Sequence, residues 1–125
     1  MSVKRSFDLE ERLIEFCAQI TGVVQDLPTT RVGNYVGTHL TNAAFSSAFN
    51  YAESQSAESR KDFVHKLKIV LKELRESLMA LKIIYRLRLF KSEELLHATI
   101  QESNELIAIF FKSIDTARHN ARSDH

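Results

Sequence analysis

The sequence predicts an all-α protein, an antiparallel up-down-up-down four-helix bundle, and three observations lead there. Only three glycines and one proline occur in 125 residues, so the turn signals of a hairpin-rich β fold are missing. Apolar residues recur at intervals of three and four over four long stretches, with polar residues between them. Hydrophobic residues make up 44% of the chain and charged residues 26%, the balance of an ordinary globular protein. The length suffices for one buried core and is short for two, so a single domain over residues 1–125 is expected.

The first helix is predicted over about residues 8–26. Leu9, Leu13, Phe16, Ile20, Val23 and Leu27 share one face, and Asp8, Glu10 and Glu11 place negative charge in the first turn. Leu27-Pro28 ends it, because the residue before proline is pushed out of helical geometry. The second helix, about 31–54, has a face of mostly small residues: Gly33, Gly37, Leu40, Ala44, Ser47 and Tyr51. A glycine in a helix costs roughly 1 kcal/mol against alanine, and close approach of a neighbouring helix is the expected compensation. Nearly opposite stand Phe45 and Phe49, where a lone bundle would keep polar residues. They predict a subunit interface; cover by a loop or tail is the other reading.

The third helix is predicted over about 57–89, capped by Ser56 or Ser59. Phe63, Leu67, Val70, Leu74, Leu78, Leu81 and Tyr85 form its core seam. The fourth, about 92–121, starts at Ser92 as N-cap, followed by Glu93 and Glu94. Its core face is Leu96, Ile100, Ser103, Leu106 (or Ile107), Phe110, Ile114 and Ala117. Arg118 and His119 suit the negative end of its dipole, and the last residues, 122–125, are expected to fray.

The net charge of +1 hides a split. Residues 56–91 hold ten Lys/Arg against four Asp/Glu, while the segments on either side are neutral or acidic. On the third helix Lys61, Lys68, Lys72, Arg75, Lys82 and Arg86 fall within an arc of about 100°, off the core seam. Such a stripe can track phosphates of RNA or DNA, meet an acidic protein, or simply be the solvated side that every bundle helix needs. Aromatic residues are absent from the stripe, so nucleic-acid binding there would be backbone-driven and salt-sensitive.

A second constellation is polar. Ser46, Asn50 and Glu53 share one flank of the second helix, and Lys66 and Glu73 one flank of the third. A short turn between the two helices lets those flanks meet, which predicts a structural hydrogen-bonded network rather than solvated charges or an active site.

The sequence also bounds other chemistry. Cys17 is alone, which excludes an internal disulfide and a cysteine-based zinc site, and it lies on an apolar stripe as a core thiol would. Glu94-x-x-His97 has the spacing of di-iron bundles, and Asp62-x-x-His65 is the nearest second copy. The alternative function is therefore a metal-dependent enzyme built on those four residues; their places off the core seams argue for chance, so no metal and no cofactor is expected. His39, His119 and His125 have no partner suggested by spacing. No glycine-rich phosphate loop or nucleophile elbow occurs. No apolar run approaches the roughly 18 residues of a membrane span, and the first residues lack a secretory apolar stretch, so a cytoplasmic protein is expected.

From Arg31 to Glu76 the chain resembles the four-helix-bundle proteins encoded in intervening sequences of bacterial 23S ribosomal RNA genes. The matching residues are Arg31-Val32-Gly33, Gly37, Leu40, Ser46, Asn50-Tyr51, Glu53, Ser59, Asp62-Phe63, Lys66-Leu67, Leu71-Lys72-Glu73 and Glu76. The family often has arginine where this chain has Asn42. The resemblance implies a bacterial, cytoplasmic, all-α bundle that assembles as a ring, typically a homopentamer. A related branch, the accessory proteins of diversity-generating retroelements, forms a pentameric barrel that binds nucleic acid and a reverse transcriptase. No enzymatic activity is implied. The resulting expectation is a non-enzymatic, self-assembling binding or scaffold protein, engaging RNA, DNA or a nucleic-acid enzyme through the third helix.

Overall fold

In a computed structural model, the protein is described over residues 2–123 for the backbone and 9–120 for the side chains. Four helices follow one another: α1 (Ser2–Gln25), α2 (Arg31–Ser54), α3 (Arg60–Arg86) and α4 (Glu93–Ser123). No strand occurs among the described residues, and no described helix is long and apolar enough to cross a membrane. α1 packs on α2, α2 on α3, α3 on α4, and α4 back on α1, leaving α1 opposite α3 and α2 opposite α4. That arrangement is consistent with a bundle. Across its centre Tyr51 of α2 meets Phe110 of α4 edge-to-face, with ring centres 5.7 Å apart.

Helix ends follow from local chemistry. α1 starts six residues before the expected position, since residues 2–7 contain neither glycine nor proline to stop it. Thr30, in extended backbone, caps α2 by accepting the Gly33 N–H at 3.0 Å. α3 starts at Arg60 rather than at 57 because Ser59 is the residue that caps it, accepting from the Asp62 N–H at 3.0 Å. Ser92 does the same for α4 through the Leu95 N–H.

The core is built from one stripe per helix. Leu13, Phe16, Ile20 and Val23 of α1 are buried, with Leu40 and Ala44 of α2. α3 adds Leu67, Val70, Leu74 and Leu81, and α4 adds Leu96, Leu106, Phe110 and Ile114. Buried hydroxyls among them are satisfied within their own helix: Ser47 donates to the Ala44 carbonyl, Ser54 to Tyr51, Ser77 to Glu73 and Thr99 to Leu95. Ser103 is the exception, fully buried with no partner for its hydroxyl among the described residues.

Two expectations need correction. Tyr85 does not belong to the core seam: it is 46% exposed, and Ile84 is buried instead. The same shift begins at Leu78, which is half-buried while Ser77 is buried. The observed seam, Leu67, Val70, Leu74, Ser77, Leu81 and Ile84, alternates steps of three and four as a strict 3.5-residue repeat, whereas the expected list took two steps of four in a row from Val70 and fell one residue ahead. The two glycines of α2 also have different reasons. A side chain on Gly37 would touch Val24 of α1 and Leu27 just past its end, the helix approach expected, whereas at Gly33 it would strike the Pro28 carbonyl of the preceding turn.

Candidate functional site

The residues singled out by spacing lie on the α2–α3 side of the molecule. Ser46 Oγ donates to Glu73 Oε2 across the two helices at 3.1 Å. Asn50 Nδ2 donates back to the Ser46 carbonyl at 2.9 Å and to Ser46 Oγ at 3.1 Å. All three are half-buried. The remaining two form a separate pair: Lys66 Nζ lies 2.6 Å from Glu53 Oε1, with Glu53 at the exposed rim. The Glu53 carboxylate raises the Lys66 pKa above the usual lysine value, chiefly through this hydrogen bond. The five groups therefore divide into a half-buried trio and a more open ion pair.

A third tie was not foreseen. His39, expected to lack a partner, places Nε2 3.3 Å from Glu76 Oε1 of α3 and stacks on Tyr35 with ring centres 6.2 Å apart. His39–Glu76, Ser46–Glu73 and Glu53–Lys66 climb α2 while descending α3, so the partners run in opposite order along the two helices. α1 and α4 behave likewise. Arg12 grips Glu102 with two parallel hydrogen bonds (Nε to Oε2, 3.0 Å; Nη2 to Oε1, 2.8 Å) and reaches Glu105 at 3.1 Å. These carboxylates raise the Arg12 pKa, the Glu102 hydrogen bond most of all. Ninety positions separate the partners, so no local pattern marks them; only helix pairing brings them together.

Lys61, Lys68, Lys72, Arg75, Lys82 and Arg86 are all exposed along roughly 38 Å of α3. Among the described residues only Lys72 of the six forms an ion pair, with Glu76 at 4.0 Å. Phe49 is 63% exposed on the outer side of α2, set edge-to-face against the half-buried Phe45 at 6.3 Å. Tyr35 on the same helix is 71% exposed. Asn42 is exposed on α2 beside a groove of about 390 Å³ between the end of α1 and the start of α2.

The α3–α4 turn holds what spacing missed. Leu87 ends α3, Arg88 follows with φ 55°, and the Leu89 N–H returns to the Ile84 carbonyl at 3.0 Å while Arg88 N–H donates to Tyr85 at 3.1 Å. This pair of bonds is the Schellman pattern, whose left-handed residue is usually glycine. Arginine in that conformation costs roughly 1–2 kcal/mol. Beside it Tyr85 stacks on Phe90 (ring centres 6.0 Å, planes 12° apart) and leans on His97 at 5.3 Å. The available signal was the lack of glycine between Arg86 and Ser92: a helix stopping there must put another residue into the left-handed position.

The metal alternative gains no geometry. His97 Nε2 lies 3.2 Å from Glu93, not Glu94, and Asp62 and His65 sit on another helix. No group of three or more His, Cys, Asp or Glu among the described residues is placed to hold an ion. Cys17 is half-buried, its thiol 3.6 Å from the Ala44 carbonyl, and burial pushes its pKa up. His125 lies outside the described residues.

Four amphipathic helices, with a cationic face on one and bare aromatics on its neighbour, define the class: an all-α protein. The profile of the 23S rRNA-intervening sequence proteins matches residues 5–112, and the chain belongs to that family. No curated protein matches it. Among solved structures it is similar to a protein of unknown function of the S23 ribosomal protein family from Bacteroides thetaiotaomicron. That likeness has a TM-score of 0.77 at 24% identity, over 85% of this chain and 97% of the other, and shows the fold alone.

Proposed function

We propose that this protein is a non-enzymatic, cytoplasmic scaffold that assembles from copies of itself and binds nucleic acid through the cationic face of α3. The observation that carries this reading is the stripe: six exposed Lys/Arg side chains along one helix, only one of them engaged by a carboxylate among the described residues. A solvated helix face normally mixes charges of both signs, and a run of one sign along tens of ångströms produces a field that attracts phosphates. The helices are read as an antiparallel up-down-up-down bundle, supported by the opposed contact order along α2–α3 and by short connections. Copies would meet through Phe45 and Phe49, supported by the bare ring of Phe49, and a homopentameric ring is the assembly the family resemblance implies. A ring repeats the stripe and multiplies its field.

Light scattering on the purified protein tests the assembly, with a single-chain mass refuting it. Titration of labelled RNA and DNA at about 50 mM salt tests the binding. Affinity should fall steeply with added salt and fall again when Lys68, Lys72 and Arg75 are replaced by glutamine. No uptake of either polymer ends the reading.

A further inference from the structure

We infer that the α3–α4 turn is a stacking platform for an unpaired base, so that the preferred ligand is single-stranded nucleic acid rather than a duplex. The inference rests on the proposed binding role of α3 and names the form of its ligand. Tyr85 stands at the end of the cationic stripe, nearly half exposed, with its ring held by Phe90 and His97. Phe90 is itself packed against the core, so the platform is anchored rather than loose. Lys82 lies one helical turn before Tyr85, Arg86 is adjacent, and Arg88 and Lys91 follow in the turn. No acid occurs from residue 77 to residue 92; the next two, Glu93 and Glu94, open α4, and Glu93 is met by His97.

A duplex keeps its bases inside its stack and offers such a ring only sugar and phosphate. A single strand presents base faces, which stack on tyrosine while cations beside the ring hold the flanking phosphates. Arg88 adds an independent indication. It occupies, at an energetic cost, a backbone position that glycine would fill freely, with an exposed side chain in a turn where its N–H bonds back to the Tyr85 carbonyl. A cost kept at a surface turn points to a use for that side chain.

The test compares fluorescence anisotropy titrations of the whole protein with labelled oligothymidylate, oligouridylate, an abasic strand of equal length and a duplex. Both base-bearing strands should bind at least about fivefold more tightly than the abasic strand. Tyr85→Ala should abolish that preference while leaving abasic binding unchanged, and Tyr85→Phe should retain it. Arg88→Gly should raise the thermal midpoint yet weaken single-strand binding, lowering the salt slope by about 0.7; a purely structural arginine would not move both in opposite directions. Oligothymidylate and oligouridylate bound unequally would separate DNA from RNA within the same platform. Equal affinity for base-bearing and abasic strands, or a preference for duplex, overturns the platform and leaves the α3 stripe standing. Absence of binding to all four overturns both.

Discussion

Replacing Gly33 with alanine asks whether the start of α2 is held by the turn before it. Within an ordinary helix this change stabilises by roughly 1 kcal/mol, because alanine has the higher helix propensity. Here the added methyl would strike the Pro28 carbonyl oxygen and come within 3.1 Å of Thr30 Oγ1. Neither atom is the loose end of a side chain. The Pro28 carbonyl accepts the Thr30 N–H at 2.9 Å, and Thr30 Oγ1 accepts the Gly33 N–H at 3.0 Å. If the turn yields, it gives up an N-cap and a hydrogen bond of about 1 kcal/mol each. If it holds, the overlap costs about 1–3 kcal/mol. Either route outweighs the propensity gain, and a net loss of about 1 kcal/mol is expected. Gly37→Ala is the control. Its methyl would meet only Leu27 Cδ1 at 3.2 Å and Val24 Cγ1 at 3.3 Å, side-chain ends that can move by a few tenths of an ångström. It should be nearly neutral. Urea unfolding at one fixed protein concentration measures both, read as a change in midpoint at constant slope. Gly33→Ala as stable as the parent, or Gly37→Ala more damaging than Gly33→Ala, would refute the reasoning.

Three further outcomes are expected. Arg12→Lys keeps the charge between α1 and α4 but loses the two-pronged grip on Glu102, and should cost about 1 kcal/mol in urea unfolding; an unchanged midpoint would show the contact to be idle. Ser103→Ala removes a buried hydroxyl that has no partner among the described residues, and should stabilise by about 1 kcal/mol; destabilisation would mean that the hydroxyl is in use. Glu53 raises the Lys66 pKa, so the pair's contribution is fully present below the ordinary lysine value of 10.5 and is lost as pH climbs through the higher folded value. The stability difference between parent and Glu53→Gln should therefore hold steady below pH 10.5 and shrink above it, and a difference independent of pH would count against the pair.

Much of the architecture was legible because helices announce themselves locally. Leu13, Phe16 and Ile20 in α1, or Leu106, Phe110 and Ile114 in α4, repeat at a spacing that only one geometry gathers onto a face, and all are buried. Stops were harder. Pro28 is a strong signal, whereas α3 was expected to run on to about Leu89 and stops at Arg86, where no glycine marks the end and arginine takes the left-handed position. The candidate site was legible where its parts lie close along the chain and illegible where they lie far apart. Ser46, Asn50 and Glu73 belong to adjacent helices joined by a short turn, so face assignment placed them near one another, but it could not reveal that Glu53 and Lys66 pair apart from them. Arg12 and Glu102 belong to the first and last helices, and their meeting depends on the whole bundle closing. Tyr85 was misplaced for a subtler reason: past Val70 the apolar Leu78 and Tyr85 outbid Ser77 and Ile84 on spacing by type, although the buried seam keeps the strict alternation of three and four.

The three cross-links at His39–Glu76, Ser46–Glu73 and Glu53–Lys66 are spaced seven residues apart along α2, about two turns each. A slip of α2 against α3 by one turn, about 5.4 Å, would unseat every one of them at the same moment. The three ties together fix one register of α2 against α3. The position of the phenylalanine face of α2 therefore sets where α3 presents its lysines.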